Sequence, residues 1–75
     1  MKYAVIVEQA GDNYAAHAPD VPACIATGDT PEEAVHELQG ALVEHLALLR
    51  EAGLPVPRPS TLTAIVDIEE AAPAA

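Results

Sequence analysis

Cysteine is almost absent from this chain, and Cys24 is its only copy. An internal disulfide is therefore excluded, and no Cys/His pattern with the spacing of a zinc site occurs. A chain of 75 residues buries only about 60% of the surface that it exposes when unfolded. Very small domains are usually stabilised by disulfides or a bound metal, and neither is expected here. We therefore expect one domain with a small hydrophobic core that buries more surface as a homo-oligomer, a dimer or tetramer.

Basic residues are also scarce, with three Lys and Arg against twelve Asp and Glu, for a net charge of −9. Nucleic-acid affinity comes mostly from Lys and Arg, so direct DNA or RNA binding by this chain is not expected. An acidic surface either keeps a protein soluble by self-repulsion or meets a basic partner. Composition alone favours the first reading.

Long apolar runs are missing too. The N-terminus has no apolar core of a signal peptide, and no run approaches the length that crosses a bilayer. We therefore expect a cytoplasmic protein without a membrane partner. The hydrophobic content of 51% is high for a disordered chain and predicts a packed fold.

The first third of the chain predicts three antiparallel strands. Residues 2–8 alternate with two largely apolar faces, which is typical of a strand inside a sheet. A turn of Gly, Asp and Asn at 10–13 leads to a second strand at 14–18. Residues 24–27 are short and polar at their ends, which predicts an edge strand.

A long amphipathic helix is predicted over 31–52. Thr30 and Glu33 form a capping box, in which the Thr30 hydroxyl accepts from the Glu33 N–H and the Glu33 carboxylate reaches back to the Thr30 N–H. Gly53 is the expected left-handed residue after the helix. Gly40, inside the helix, predicts the close approach of a neighbouring backbone, in this chain or in a partner. Val35 and Leu48 widen the apolar arc and suggest a second contact surface.

Prolines at 55, 57 and 59 make a stiff connector, and residues 61–68 are rich in β-branched residues and predict a fourth strand. The order β-β-β-α-β makes this an α+β domain over residues 1–68. A right-handed crossover gives the sheet order 3-2-1-4, with one helix on one face. Residues 69–75 are expected to be a flexible acidic and Ala-Pro tail.

No catalytic, metal or cofactor site emerges from the remaining candidates. Glu33 and His36 have a Glu-x-x-His spacing, but carboxylate-bridged metal sites take ligands from four helices and this chain has one. Cys24 has no basic neighbour in sequence to lower its pKa, which favours a structural role. For Asp20 the sequence favours two roles equally, capping of a turn and contact with a partner. His45 is interpreted as a core or interface histidine, and His17 as a surface residue.

Several of these features together resemble the HicB-like antitoxin family. The resemblance covers residues 3 to about 68 and is most specific from 19 to 34, where Pro-Asp, a following Pro, Cys, and Gly-Asp-Thr precede Glu-Glu-Ala. The motif positions are Pro19, Asp20, Pro22, Cys24, Gly28, Thr30, Glu33 and Gly53.

The resemblance implies a partial ribonuclease-H-like fold and a function as an antitoxin. Family members neutralise HicA, a small basic mRNA interferase, by covering its RNA-binding and catalytic surface. On this reading the acidic face binds the toxin, and the candidate partner-binding residues are Asp20, Glu33, Glu37 and Glu44. A non-enzymatic role is expected, because the ribonuclease H chemistry needs several carboxylates converging on metal ions. The predicted first strand carries only Glu8, at its end.

Two departures from the family pattern stand out. The usual glycine before the cysteine is Ala23. Many members also carry a C-terminal DNA-binding domain, and the residues after Ile68 do not provide one. The alternative reading is therefore a stand-alone homo-oligomeric HicB-like domain with a scaffolding or ligand-sensing role.

Overall fold

A computed structural model describes residues 1–70 and contains three strands followed by one helix. The elements are β1 (Ile6–Ala10), β2 (Asn13–His17), β3 (Ile25–Gly28) and α1 (Pro31–Glu51). The predicted α+β class, the three strands and the helix are confirmed. Within the described residues, no helix combines the length and apolar character needed to cross a bilayer.

The sheet is an antiparallel meander in the order β1-β2-β3. Its register sets Val7 opposite Ala16 and Ala16 opposite Ala26, and these three residues pack in or against the hydrophobic core. Side chains alternate along strands, so the neighbouring row of Ile6, His17 and Ile25 lies on the other face. The prediction that the first strand is central is wrong, because β2 is the central strand and β1 is an edge.

The core lies between one face of this sheet and α1. Leu38 and Val21 are its largest fully buried side chains, and the helix packs mainly over β3 and β2. Val21 comes from the loop between the two prolines, where the sequence pattern predicts no core residue. The buried residues are Ala16, Ala18, Val21, Cys24, Ala34, Leu38, Leu42 and Leu46.

The predicted helix boundaries are confirmed by hydrogen bonds at both ends. The Glu33 N–H donates to the Thr30 hydroxyl over 3.1 Å. After the last turn, the N–H of Leu54 donates to Leu49 O and that of Gly53 to Arg50 O, at 2.9 and 3.1 Å. With Gly53 at a φ of 70°, this is the Schellman arrangement that closes helices.

The fourth strand and the sheet order 3-2-1-4 are wrong for this chain. Residues 61–68 form no strand, and all of them are exposed. A β-branched sequence favours a pleated, half-buried surface but forms a strand only beside a partner. Without that strand, the three-stranded sheet does not support the predicted partial ribonuclease-H-like fold. Most of the expected tail, residues 71–75, lies outside the described residues.

Two glycines play contrasting roles. A Cβ at Gly28 would lie 2.5 Å from the Ala34 N and 2.7 Å from the Glu33 Cβ, so glycine allows β3 to end against the first turn of α1. A Cβ at Gly40 would meet nothing within 4 Å. The prediction that a backbone of this chain approaches Gly40 is therefore wrong, and an approach by a partner stays a prediction.

Candidate protein-interaction surface

Three of the predicted partner-binding residues form one exposed line along α1. At about 100° per residue, Glu33, Glu37 and Glu44 fall within about 40° of one another around the helix axis. All three side chains are exposed. We call this line the acidic stripe, and Gly40 lies within it between Glu37 and Glu44.

The acidic stripe begins beside β3, where Glu33 and Glu37 lie near Thr27 and Gly28. There a polar concavity of about 350 Å³ is lined by residues of β2, β3 and the first turns of the helix. Its lining residues are Asn13, Thr27, Gly28, Asp29, Glu33 and Glu37. The structure thus brings Asp29 to the predicted pair of glutamates. The sequence signal for Asp29 was its place just before the cap, where negative charge favours the helix dipole.

Glu33 has a structural role as well as a place in the acidic stripe. Its carboxylate accepts a hydrogen bond of 2.9 Å from the backbone N–H of Asp29. The capping box is therefore confirmed at the Thr30 hydroxyl, but its return bond goes to Asp29 and not to the predicted Thr30 N–H. Glu33 thus helps to cap the N-terminus of α1. Glu37 and Glu44, the other two residues of the acidic stripe, take no part in this cap.

Asp20 lies apart from the acidic stripe and is bound within the chain. It sits in the loop between β2 and β3, at the end of the sheet where His17 pairs with Ile25, whereas α1 begins at the opposite end beside Gly28. Its carboxylate accepts four hydrogen bonds of 2.8 to 3.0 Å, from the backbone N–H and the side-chain hydroxyl of both Ser60 and Thr61.

These bonds favour the charged form of Asp20. The Thr61 and Ser60 N–H groups, followed by the Thr61 hydroxyl, hold the pKa of the Asp20 carboxyl far below its usual range. The sequence left open whether Asp20 caps a turn or meets a partner. In the structure it accepts hydrogen bonds within the chain, from a segment forty residues away. No signal along the sequence joins Asp20 to Ser60, because the pairing depends on tertiary structure.

The remaining motif positions build the loop that carries Asp20. Pro19 and Pro22 are exposed on either side of the buried Val21, whose N–H donates to Ala18 O over 3.1 Å. Cys24 is a free, buried thiol at the end of the loop, which agrees with a structural role.

The histidines and the candidate metal pair do not converge on a site. His36 is exposed, while His17 and His45 are half-buried. Within residues 1–70 the structure shows no group of three or more His, Cys, Asp or Glu placed to hold a metal ion. Of the four candidate partner-binding residues, three therefore lie together in the acidic stripe and Asp20 lies apart.

Comparisons with known proteins agree with the motif. A family model described as "HicB_like antitoxin of bacterial toxin-antitoxin system" matches residues 3–74. The chain is also 29% identical over 70 residues to an uncharacterized 14.9 kDa protein from the rep-hol intergenic region of Haemophilus phage HP1 (strain HP1c1). That alignment covers 93% of this chain and 53% of the phage protein, so the chain spans about half the length of its relative. No solved structure matches.

Proposed function

This chain belongs to the HicB-like antitoxin family of bacterial toxin-antitoxin systems, and we propose that it neutralises a small basic ribonuclease toxin by binding it through the acidic stripe. The toxin proposed is HicA-like, an mRNA interferase whose RNA-binding surface must be basic to hold phosphate. A line of exposed carboxylates complements such a surface and covers it against RNA.

The observation that carries the proposal is the placement of Glu37 and Glu44 on one exposed side of α1 in a chain of net charge −9. Opposite charges steer association and fix the register of an interface, so they act on the rate of binding and on its salt dependence. The role is steric and electrostatic. It requires no cofactor and no catalytic group of this chain.

The proposal is tested with a HicA-like toxin, a small Lys/Arg-rich protein that the proposal expects to be encoded beside this chain. Charge reversal by Glu37→Lys or Glu44→Lys is expected to weaken binding about tenfold or more and to flatten its salt dependence, because like charges then face each other. Glu8→Lys is the matched control. Glu8 is exposed and lies on the sheet face away from α1, so this variant should bind like the natural chain.

Isothermal titration at two salt concentrations measures both effects. Equal binding by Glu37→Lys, Glu44→Lys and Glu8→Lys would contradict the acidic stripe as the interface. If the chain binds no such protein at all, the alternative role as a homo-oligomeric scaffold or ligand sensor replaces the antitoxin.

A further inference from the structure

The β1–β2 hairpin determines which backbone groups of β2 point to each neighbouring strand. Its turn has two residues, and Ala10 pairs with Asn13 across it. A two-residue hairpin closes on a hydrogen-bonded pair, and bonded pairs then alternate with non-bonded pairs along the two strands. The N–H and C=O groups of Ala15 therefore point to β1, and those of Ala16 point to β3.

The same alternation directs the backbone of Ile25 and Thr27 away from the sheet. Ala26 bonds to Ala16, so the residues on either side of it present their N–H and C=O groups to the outer side of β3. No strand lies there, because β3 is an edge of the sheet. Within residues 1–70, no backbone hydrogen bond outside the sheet engages these groups either. The outer side of β3 thus offers two donors and two acceptors for pairing.

The free edge of β3 carries no residue that discourages pairing with another chain. Charged side chains and prolines commonly protect edge strands in this way. The edge strand β1 contains Glu8, whereas β3, with four residues, contains neither a charge nor a proline. Ile25 is 65% exposed, and Thr27 is exposed as well. The β3 edge is therefore accessible to a short added strand.

Acidic side chains gather at the Gly28 end of this edge. Asp29 follows β3 directly, and Glu37 lines the polar concavity there with Thr27 and Gly28. No Lys or Arg lines this concavity. An added strand would alternate its side chains between the two faces of the sheet, so every second one would point to the α1 side, where Glu37 lies. Basic residues at those positions would meet carboxylates.

We propose that an extended segment of the toxin pairs with the free edge of β3 as an added strand, with Lys or Arg at every second position directed to Glu37 and Asp29. This inference rests on the proposed function and specifies how the toxin engages the acidic stripe. In strand addition, main-chain hydrogen bonds supply affinity and alternate side chains supply specificity. Here the bonds form at Ile25 and Thr27, and the carboxylates select a basic segment.

Charge favours this partner over a second copy of the chain. Two copies paired edge to edge through β3 would bring Asp29 and Glu37 of both chains to one interface, and each chain has a net charge of −9. Like charges placed together across an interface are unfavourable. A basic strand at the same edge places opposite charges together.

Amide hydrogen exchange of the full chain, free and bound to a HicA-like toxin, tests the proposal without any substitution. The N–H groups of Ile25 and Thr27 should exchange rapidly in the free chain and at least about tenfold more slowly in the complex, because they become hydrogen-bonded. Val7 and Gln9 are matched controls. By the same alternation, their N–H groups point to the free edge of β1, so binding should leave their exchange unchanged.

A proline at the edge provides a second readout. Thr27→Pro removes an N–H that the β2–β3 pairing does not use, and edge strands tolerate proline at such positions. Thr27→Val keeps both the N–H and the β-branched shape. Titration with the toxin should show about tenfold weaker binding for Thr27→Pro and unchanged binding for Thr27→Val. The salt dependence should stay that of the natural chain in Thr27→Pro, because no charge is lost, and circular dichroism checks that both variants fold.

The possible results separate this inference from the proposed function. If Glu37→Lys weakens toxin binding but Ile25 and Thr27 exchange as in the free chain, the stripe binds the toxin without the β3 edge and the inference is overturned. Equal slowing at Val7 and Gln9 would also overturn it, as would protection of Ile25 and Thr27 in the free chain that grows with concentration, the sign of a second copy. A chain that binds no toxin contradicts the proposed function itself, and this inference with it.

Discussion

Ala23 holds a backbone conformation that glycine adopts more easily. Its φ of 67° makes it the only non-glycine residue at positive φ within residues 1–70. The left-handed region costs an L-residue with a Cβ about 1–2 kcal/mol. The family resemblance places a glycine before the cysteine, and the structure shows the physical reason: the loop keeps the glycine conformation although the side chain has changed.

Ala23→Gly is therefore expected to stabilise the domain. The gain in the free energy of unfolding should be about 0.5–1 kcal/mol, since relief of strain is partly offset by the greater freedom of glycine in the unfolded chain. The control is Ala47→Gly at an exposed position within α1, which should lose about 1 kcal/mol. Urea unfolding measures both, and a loss of stability in Ala23→Gly would contradict the account of this loop.

Asp20 predicts how stability depends on pH. Its folded-state pKa is lowered by the N–H groups of Thr61 and Ser60, so its contribution is present above the unfolded pKa of about 4 and is lost as the pH falls below it. Asp20→Asn loses acceptor capacity at every pH. The difference in stability between the natural chain and this variant should be constant above about pH 5 and should shrink in acid.

Thermal unfolding from pH 7 to pH 2 measures that difference. Amide exchange at Ser60 and Thr61 is the local check, because both N–H groups should exchange faster in Asp20→Asn. A difference that is the same at pH 2 and pH 7 would show that the carboxylate is not the group holding this segment.

At the scale of elements, the helix could be predicted almost to the residue from its ends. Thr30 and Glu33 cap its start and Gly53 closes it, and these contacts lie within a few residues in sequence. The β1–β2 turn was equally local, with Gly11 at a φ of 66°. Hydrogen bonds of this kind join residues close together in the sequence, so the local sequence is enough to predict them.

The fourth strand could not be predicted in the same way. Its own residues carry the strand pattern, but a strand also needs an edge to pair with, and that edge is a tertiary or quaternary property. The bonds from Asp20 to Ser60 and Thr61 hold the segment elsewhere, and they join residues forty positions apart. The same limit applies to the candidate site. The spacing of Glu37 and Glu44 predicts that both lie on one side of α1, but nothing in the sequence predicts that Asp20 lies away from them.

Gly40 offers a test at the same scale. Because a Cβ there meets nothing within 4 Å, Gly40→Ala should stabilise the chain by about 1 kcal/mol through helix propensity. If the partner's backbone approaches the acidic stripe at Gly40, the same variant should bind the toxin more weakly despite its greater stability. Urea unfolding and titration of one preparation give both values. Unchanged binding would show that no close approach explains this glycine.

At the scale of the whole molecule, α1 separates two surfaces with different chemistry. The acidic stripe begins beside β3, and an apolar groove lined by Tyr3, Val5, Val35 and Leu42 lies on the other side of the helix. A substitution in the groove, such as Val35→Glu, should accordingly leave binding of a basic toxin unchanged, whereas Glu37→Lys in the acidic stripe should weaken it.

The proposed function is the neutralisation of a ribonuclease toxin by covering its RNA-binding surface. The most direct measurement is the rate of RNA cleavage by a HicA-like toxin, with increasing amounts of this chain added. We predict that cleavage falls to background at about one chain per toxin and that Glu37→Lys shifts the curve to higher concentration. Cleavage that continues unchanged in an excess of folded chain would contradict the claim.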